Sequence, residues 1–316
     1  MMRGYKGFNA DMTCRGFRYE PGKVYEMDGE IEPCEHGFHF CRNAADVFNY
    51  YGGKGCRYAE VEALGEVINE EDKSVTNKLR IVRELTRAEI LKIMYAREGL
   101  DFEDIPFPAD EIMKARDVGT LGEMLPSGTE FPVRFTNGER NVLVVCRDRD
   151  HTYLVTKYLM AESFAMNDEW TNKGSWPACR MREHVQGIYN MLPEEFRKVI
   201  IPLHIRQIAQ NKVVECDDMA FLLSMTNVFW KNVWEPETDC DDSQIDIFRR
   251  RFFRKPASRV KRRPGASSAS WWWLRSAFSS NYYTDVSSGG SGNGTIANYE
   301  GGVVVGFCIE NRKIQK

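Results

Sequence analysis

The stretch "SASWWWLRSAFSSNYYTDVSSGG" spans Ser268–Gly290. Three consecutive tryptophans abut a run built almost only of Ser, Tyr, Asn, Gly, Thr and Asp. Adjacent residues of a strand face opposite sides, so Trp272 cannot share a face with both of its neighbours. At least one indole therefore belongs to a core, and at least one is expected at the surface. From Ser276 to Tyr299 the chain contains no Met, Trp, Gln, Lys or Glu, although those types supply 69 of its 316 residues. Tyr and Trp offer large rigid contact area at low entropy cost, and Ser, Gly and Asn offer adaptable hydrogen bonding, which is the chemistry of an antibody paratope. A flexible Gly/Ser linker is the competing reading. Tyr282, Tyr283, Val286, Ile296 and Tyr299 interrupt it, and the apolar run "GVVVGFCI" (Gly302–Ile309) returns the chain to a core. A displayed binding surface is the expectation.

Composition frames this reading. With 316 residues, 42% of them hydrophobic and 12% aromatic, the chain can bury a sizeable core and suggests two domains. A net charge of −3 gives no reason, by charge alone, to expect nucleic acid as partner. No apolar run reaches the roughly 18–20 residues that span a bilayer, so no membrane insertion is expected. The N-terminus "MMRGYKGFNADMTCRGF" has no signal-peptide apolar stretch, which implies synthesis and folding in the cytoplasm. Nine scattered cysteines, an odd number, argue against a disulfide framework and for reduced, buried thiols.

Along the chain, residues 1 to about 70 read as short strands and turns, with Pro21–Gly22 and Asp28–Gly29 as turn signals. Asn43–Tyr51 reads as a short helix capped by Asn43. Apolar spacing from Thr76 to Glu98 predicts helix, with Thr86 and Glu89 forming a capping box where a second helix starts. Asp101–Asp110, with two prolines among acids, is the linker candidate. "FPVRFTNGERNVLVVCRDRDHTYLVTKYL" predicts three strands, the first two joined at Asn137–Gly138. Ala178–Ile201 is an amphipathic helical segment in which Pro193 opens a further helix. "MAFLLSMTNVFW" is a buried strand or an entry from strand to helix. There is no tandem repeat.

Other motifs carry less. Cys34, His36, His39 and Cys41 are zinc-ligand types within eight residues. The spacing C-x-H-x2-H-x-C is not a usual zinc pattern, and strand alternation would send the two pairs to opposite faces. A turn with a buried histidine and packed thiols is the preferred reading, and a metal site the lesser one. No GxSxG, P-loop or HExxH is present, and Asp217–Asp218 and Asp241–Asp242 lie outside any calcium-loop pattern. No cofactor is expected. Arg249–Arg263 holds nine Lys or Arg in fifteen residues, with Phe248, Phe252 and Phe253 among or beside them. Such interleaving can bind phosphates and stack bases, but pairing with the acids of Asp239–Asp246 is the simpler account.

"WWLRS" (Trp272–Ser276), the Gly/Ser/Asn/Tyr stretch and "GVVVGFCI" resemble the C-terminus of proteins with the formylglycine-generating-enzyme type of C-type lectin fold. More narrowly, they resemble the variable proteins of diversity-generating retroelements, common in phages of gut bacteria. "FAMNDEW" (Phe164–Trp170), "MLPEEFRKVIIP" (Met191–Pro202) and "FLLSMTNV" (Phe221–Val228) fit the same family, so the resemblance covers roughly Val118–Ile309. In that family a reverse transcriptase mutates template adenines, turning AAC codons into NNC codons. NNC codons cannot encode Met, Trp, Gln, Lys or Glu, the five types missing from Ser276–Tyr299. Glu300 is then a fixed residue. Relatives carry an Arg-Pro pair after the final Gly-Val, where this chain has Val304 and Val305. The enzymes of that fold use a copper-binding cysteine pair; Cys308 has no evident partner for such a role. Tyr5–Tyr51 resembles a second, uncharacterised family of phage and gut-bacterial proteins through "YKGFN", "CRGF" and "GFHFC". That stretch is read as a module tying the binding domain to a particle or to a second copy.

These resemblances imply an α+β protein. A small α+β domain over residues 1–103 and a linker over 104–117 precede a C-type lectin domain over 118–316, whose variable region covers about 268–301. Trp272, Trp273, Leu274 and Arg275 are expected as scaffold, with Arg275 making buried polar contacts to backbone. Ser270, Trp271, Phe278, Ser279, Ser280, Asn281, Tyr282, Tyr283, Thr284, Asp285, Ser287, Asn298 and Tyr299 are expected to form the binding face. The implied role is non-enzymatic attachment at a phage virion surface to a host protein or glycan, with homo-oligomers giving multivalent display. The rivals are an enzyme of the formylglycine-generating type and a nucleic-acid binder using Arg249–Arg263.

Overall fold

A computed structural model describes residues 1–100, 106–148, 150–209, 212–229 and 252–311. The chain divides into two compact units, each with its own core. Met1–Asp101, Ala161–Ser163 and Arg262–Ala269 form unit one; Phe102–Met160, Phe164–Lys261 and Ser270–Lys316 form unit two. The architecture is α+β.

Unit one begins with β1 (Met2–Phe8), β2 (Thr13–Cys14), β3 (Phe17–Arg18), β4 (Val24–Glu26) and β5 (Phe38–Phe40). A 3-10 helix at Ala44–Asn49 follows. Next come β6 (Arg57–Ala63), β7 (Val67–Asn69), β8 (Ser74–Thr76), β9 (Lys78–Leu85) and helix α1 (Arg87–Arg97). One antiparallel sheet runs β1-β6-β9-β4 and another β5-β8-β7. Phe8, Tyr19, Phe38, Phe40, Val61, Leu79 and Ile81 share a core. The helix predicted across Thr76–Glu98 is in fact strand and then helix. Leu79 and Ile81 point inward with period two, while Lys78 and Arg80 point out. The helix starts only at the capping box, where Glu89 N–H donates to the Thr86 hydroxyl and Thr86 N–H to the Glu89 carboxylate. Asn43 precedes the 3-10 helix but makes no side-chain cap; its amide binds Asp46 and Ser267 instead.

Unit two opens with α2 (Ala109–Asp117) and α3 (Leu121–Met124). The segment read as linker, 104–117, thus contains a helix whose Ile112 and Ala115 are buried along with Phe107. Its prolines sit ahead of the helix at positions that tolerate them. Strands β10 (Glu130–Arg134), β11 (Arg140–Arg147) and β12 (His151–Thr156) follow as predicted. Gly138 takes φ +81° in the first hairpin. Helices α4 (Ser175–Ala178), α5 (Arg180–Asn190) and α6 (Glu194–Arg197) lead to a hairpin of β13 (Leu203–Ala209) and β14 (Lys212–Asp218). Then come α7 (Met225–Phe229), α8 (Pro256–Arg259), β15 (Trp272–Phe278), β16 (Tyr282–Val286), β17 (Gly292–Ile296) and β18 (Gly306–Glu310).

Two sheets organise unit two. The C-terminal strand joins the early meander in the order β10-β11-β12-β18, and β15-β16-β17 form a separate three-stranded sheet. Tyr153 pairs with Cys308 across β12 and β18. Val303–Val305, in the apolar run Gly302–Ile309, are buried as core but precede the last strand. Among the described residues no helix is long and apolar enough to cross a membrane.

Candidate functional site

Strand β15 explains the adjacent tryptophans. Trp272 and Trp273 are both fully buried although they face opposite ways, so this strand is covered on both sides. Trp272 Nε1 donates to the Arg259 carbonyl at 3.0 Å and Trp273 Nε1 to the Phe164 carbonyl at 2.9 Å. Both indoles thus satisfy their polar edge while burying the ring. Trp271 stays partly exposed and meets Trp273 edge to face at 4.8 Å. The return segment fits this stack only through glycine. A Cβ on Gly301 would lie 2.3 Å from the Trp271 ring and 2.7 Å from Trp273 Nε1. Arg275 is buried and donates to the Leu222 carbonyl at 2.6 Å and to the Asn227 amide oxygen at 3.2 Å. The expected contact of Arg275 with backbone is therefore present.

On this frame the turn from β15 to β16 stands out from the core. Ser279 and Ser280 are exposed, Phe278, Asn281 and Tyr282 half-buried. Ser279 takes φ +53°, a left-handed conformation uncommon for a residue other than glycine. A residue the sequence did not single out holds the turn. Asn172 is buried, and its amide Nδ2 donates to the carbonyls of Phe278, Ser279 and Tyr282 at 3.1, 3.1 and 2.9 Å. A second anchor lies five residues earlier, where Asn167 N–H donates to the Ala297 carbonyl at 2.9 Å. Between the two anchors sits Trp170, 64% exposed. Asn298 is half-buried and Tyr299 is 55% exposed. Trp170 had no signal in its own spacing, since a lone tryptophan in a loop reads equally well as core.

The expected face is narrower than its sequence outline. Tyr283, Thr284 and Asp285 are interior, 0, 0 and 1% exposed. The reason is that β16 is the central strand of its sheet, flanked by β15 and β17. Thr284 spends its hydroxyl on the Ser276 carbonyl at 3.0 Å, and Asp285 accepts from the Thr295 hydroxyl at 2.8 Å. Burial pushes the Asp285 carboxyl up to about 6, against the opposing pull of Thr295. Ser270 and Ser287 lie at the other end of the hairpin, beyond the Trp272–Val286 pair. The face thus narrows to the turn Phe278–Tyr282 with Trp170 and Asn298–Tyr299; Trp271, like Ser270, lies beyond the Trp272–Val286 pair, its ring packed against Gly301. It offers hydroxyls, amides and flat rings, the groups of adaptable noncovalent recognition. Nearby, His184 stacks on Phe164 at 3.5 Å. Burial, then Arg180, lowers its pKa to about 4, so this wedge is neutral near pH 7.

The remaining candidates fall elsewhere. Cys34, His36, His39 and Cys41 do not converge. His39 Nε2 accepts from the Cys34 N–H at 2.9 Å, and His36 Nδ1 meets the Glu30 carbonyl. Among the described residues no group of three or more His, Cys, Asp or Glu could hold a metal ion. Cys308 is buried and its thiol pushed up by burial, away from the thiolate that reactive or metal-bound cysteines require. Asp218 is buried, accepting from Trp176 Nε1 at 2.6 Å and pairing with Arg182 at 2.8 Å. Asp217 faces His204 at 2.9 Å, and Asp241–Asp242, like Asp239–Asp246 as a whole, lie outside the described residues. Of the basic run, Phe248 and Arg249–Arg251 are also outside them. In unit two, Lys261 is buried and donates to the carbonyls of Thr156 and Lys157 at 3.1 and 2.9 Å. In unit one, Arg262 pairs with Glu98, and buried Arg263 donates to Ala161, Asn49 and Ser163. Those three cations are structural; Arg254 and Lys255 are exposed.

Residues 150–311 match a family described as a domain of unknown function (DUF6273), and residues 2–93 match another domain of unknown function (DUF7666). The first match spans just over half of the chain, and the chain belongs to that family. No curated protein and no solved structure matches it.

Proposed function

We propose that this member of the DUF6273 family is a non-enzymatic receptor-binding protein whose second unit is a C-type lectin scaffold displaying a variable face. The observation that carries the reading is the contrast across a few residues. Ser279, Ser280 and Tyr299 are exposed, while Trp272–Ala277 and Gly301–Ile309 beneath them are buried throughout. Such a frame tolerates change at its rim because solvent-facing substitutions cost little stability. The pairing of the C-terminal strand with the early meander, beside a second small sheet, supports the lectin reading. The five amino-acid types missing from Ser276–Tyr299 support diversification by a retroelement. The role is then host attachment by a phage particle, with a surface protein or glycan as partner. Weak single contacts of this kind are strengthened by multivalent display.

The test replaces Ser280, Asn281, Tyr282 and Tyr299 together by alanine. Labelled full-length protein is applied to a panel of gut-bacterial isolates and read by flow cytometry. The wild type should bind a subset, and the variant should lose that binding while its Tm stays within about 3 °C. An unchanged binding pattern in the folded variant would refute the assigned face. In the neighbouring DNA, a near-repeat of the codons for Ser268–Tyr299, differing where the repeat has adenine, should lie beside a reverse-transcriptase gene. Its absence would remove the diversification claim alone.

A further inference from the structure

Unit one contains a cavity of about 420 Å³, within the usual range for small-molecule sites. Three cations line it, Lys6, Arg15 and Lys73, and no carboxylate does. Lys73 is already paired with Glu70 at 3.1 Å. Lys6 is only 3% exposed, and its ammonium donates to the His39 carbonyl at 2.6 Å and to Cys14 Sγ at 3.4 Å. Arg15 donates to the Cys34 carbonyl at 2.5 Å. Among the described residues neither Lys6 nor Arg15 has a carboxylate within ion-pair distance. A buried ammonium without a counter-ion is costly, and burial accordingly lowers the Lys6 pKa, against the pull of the neighbouring thiols.

The walls are aromatic. Tyr5, Tyr50 and Tyr51 line the cavity. Tyr51 lies so close over Gly7 that a Cβ there would sit 2.6 Å away, so the sequence keeps β1 bare beneath that ring. The rim is strained: Arg15 and Cys34 both hold positive φ, at 51° and 68°. Non-glycine residues kept in this region cluster at ligand clamps. Of the four residues that invite a metal reading in the sequence, Cys34, His39 and Cys41 line this cavity and His36 does not. A second cavity of about 250 Å³ shares Lys6, Cys14, Arg15 and His39, with Glu35 on its wall.

We propose that the larger cavity binds a small organic anion carried on a flat ring, its phosphate or carboxylate set between Lys6 and Arg15 and its ring against the tyrosines. The anion supplies the counter-charge that Lys6 lacks, and the ring fills an apolar, aromatic wall. This site is independent of the face in unit two.

Isothermal titration of the full-length protein with phenyl phosphate and AMP tests it, with phenol, adenosine and inorganic phosphate as partial ligands. At least one ringed anion should bind with Kd below about 100 μM at low salt, and the neutral rings and bare phosphate at least tenfold more weakly. Arg15→Gln changes an exposed side chain and should weaken the ringed anion about tenfold with Tm unchanged. Lys6→Met, if it folds, should do the same. Equal binding of neutral rings, unaltered binding by the folded Arg15→Gln variant, or no binding of either ringed anion at about 5 mM would each overturn the proposal.

Discussion

Asp285 lies inside the segment that reads as most exposed in the sequence. Its carboxyl is held near 6 by burial, against 3.8 for the ordinary group. Between those values the native state holds more protons than the unfolded one, so stability falls as pH rises through the window. Above pH 6 the charged form is fully penalised, by up to about 3 kcal/mol. Asp285→Asn should therefore stabilise the protein at pH 7, with the Thr295 contact kept, and the gain should vanish toward pH 4. Urea unfolding of both proteins from pH 4 to 7 checks this; parallel curves would show that Asp285 carries no such burden. The residue also marks where sequence reading loses sight. Composition distinguishes a recognition segment from a core, but it does not say which members of "NYYTDV" turn inward. That depends on β16 gaining a neighbour on each edge and cover on each face, which are facts about distant chain. Trp272, Trp273, Leu274 and Arg275 were legible because their bulk or charge admits few homes.

At the level of elements, the exposed turn between β15 and β16 owes its shape to an amide outside it. Asn172 reaches three carbonyls of the turn, and one of the turn residues, Ser279, is left-handed. Asn172→Ala removes those donors without touching the exposed face. It should cost about 2 kcal/mol, and amide exchange should accelerate at 278–282 more than in β10–β12. A uniform rise in exchange would mean that Asn172 supports the whole unit rather than the turn. This clamp has no local signature, because an asparagine in "EWTNKG" reads as ordinary loop polarity. Elements with local signals fared better. The Asn137–Gly138 hairpin and the Thr86–Glu89 capping box depend on chemistry within a few residues and were read where they occur. Lys78–Leu85 was misread because its apolar residues, joined to those beyond Thr86, mimic a helical spacing. Only pairing with β6 and β4 reveals the period of two.

For the molecule as a whole, chain order and structural unit do not coincide. Arg262–Ala269 is enclosed in sequence between stretches of unit two yet belongs to unit one. There Ser267 N–H donates to Asp46 at 2.7 Å, and the Ser267 hydroxyl meets the Asn43 amide. Arg262 pairs with Glu98 at 2.5 Å, and Arg263 donates to Asn49 at 2.8 Å. No boundary drawn from composition could find this, since the partners lie more than 160 residues apart. Two family matches, 2–93 and 150–311, divide the same chain by sequence, and the second match takes in a piece of the first unit. A protein beginning at residue 106 would keep β10–β18 with their core but strip 262–269 of every partner just named. Arg263 would lose the Asn49 oxygen and keep its contacts with Ala161 and Ser163. Hydrogen exchange should then show 262–269 unprotected in the shortened protein and protected in the full chain, while the amides of β11 and β12 stay slow in both. Equal protection of 262–269 in the two proteins would mean that the segment holds its conformation without the first hundred residues.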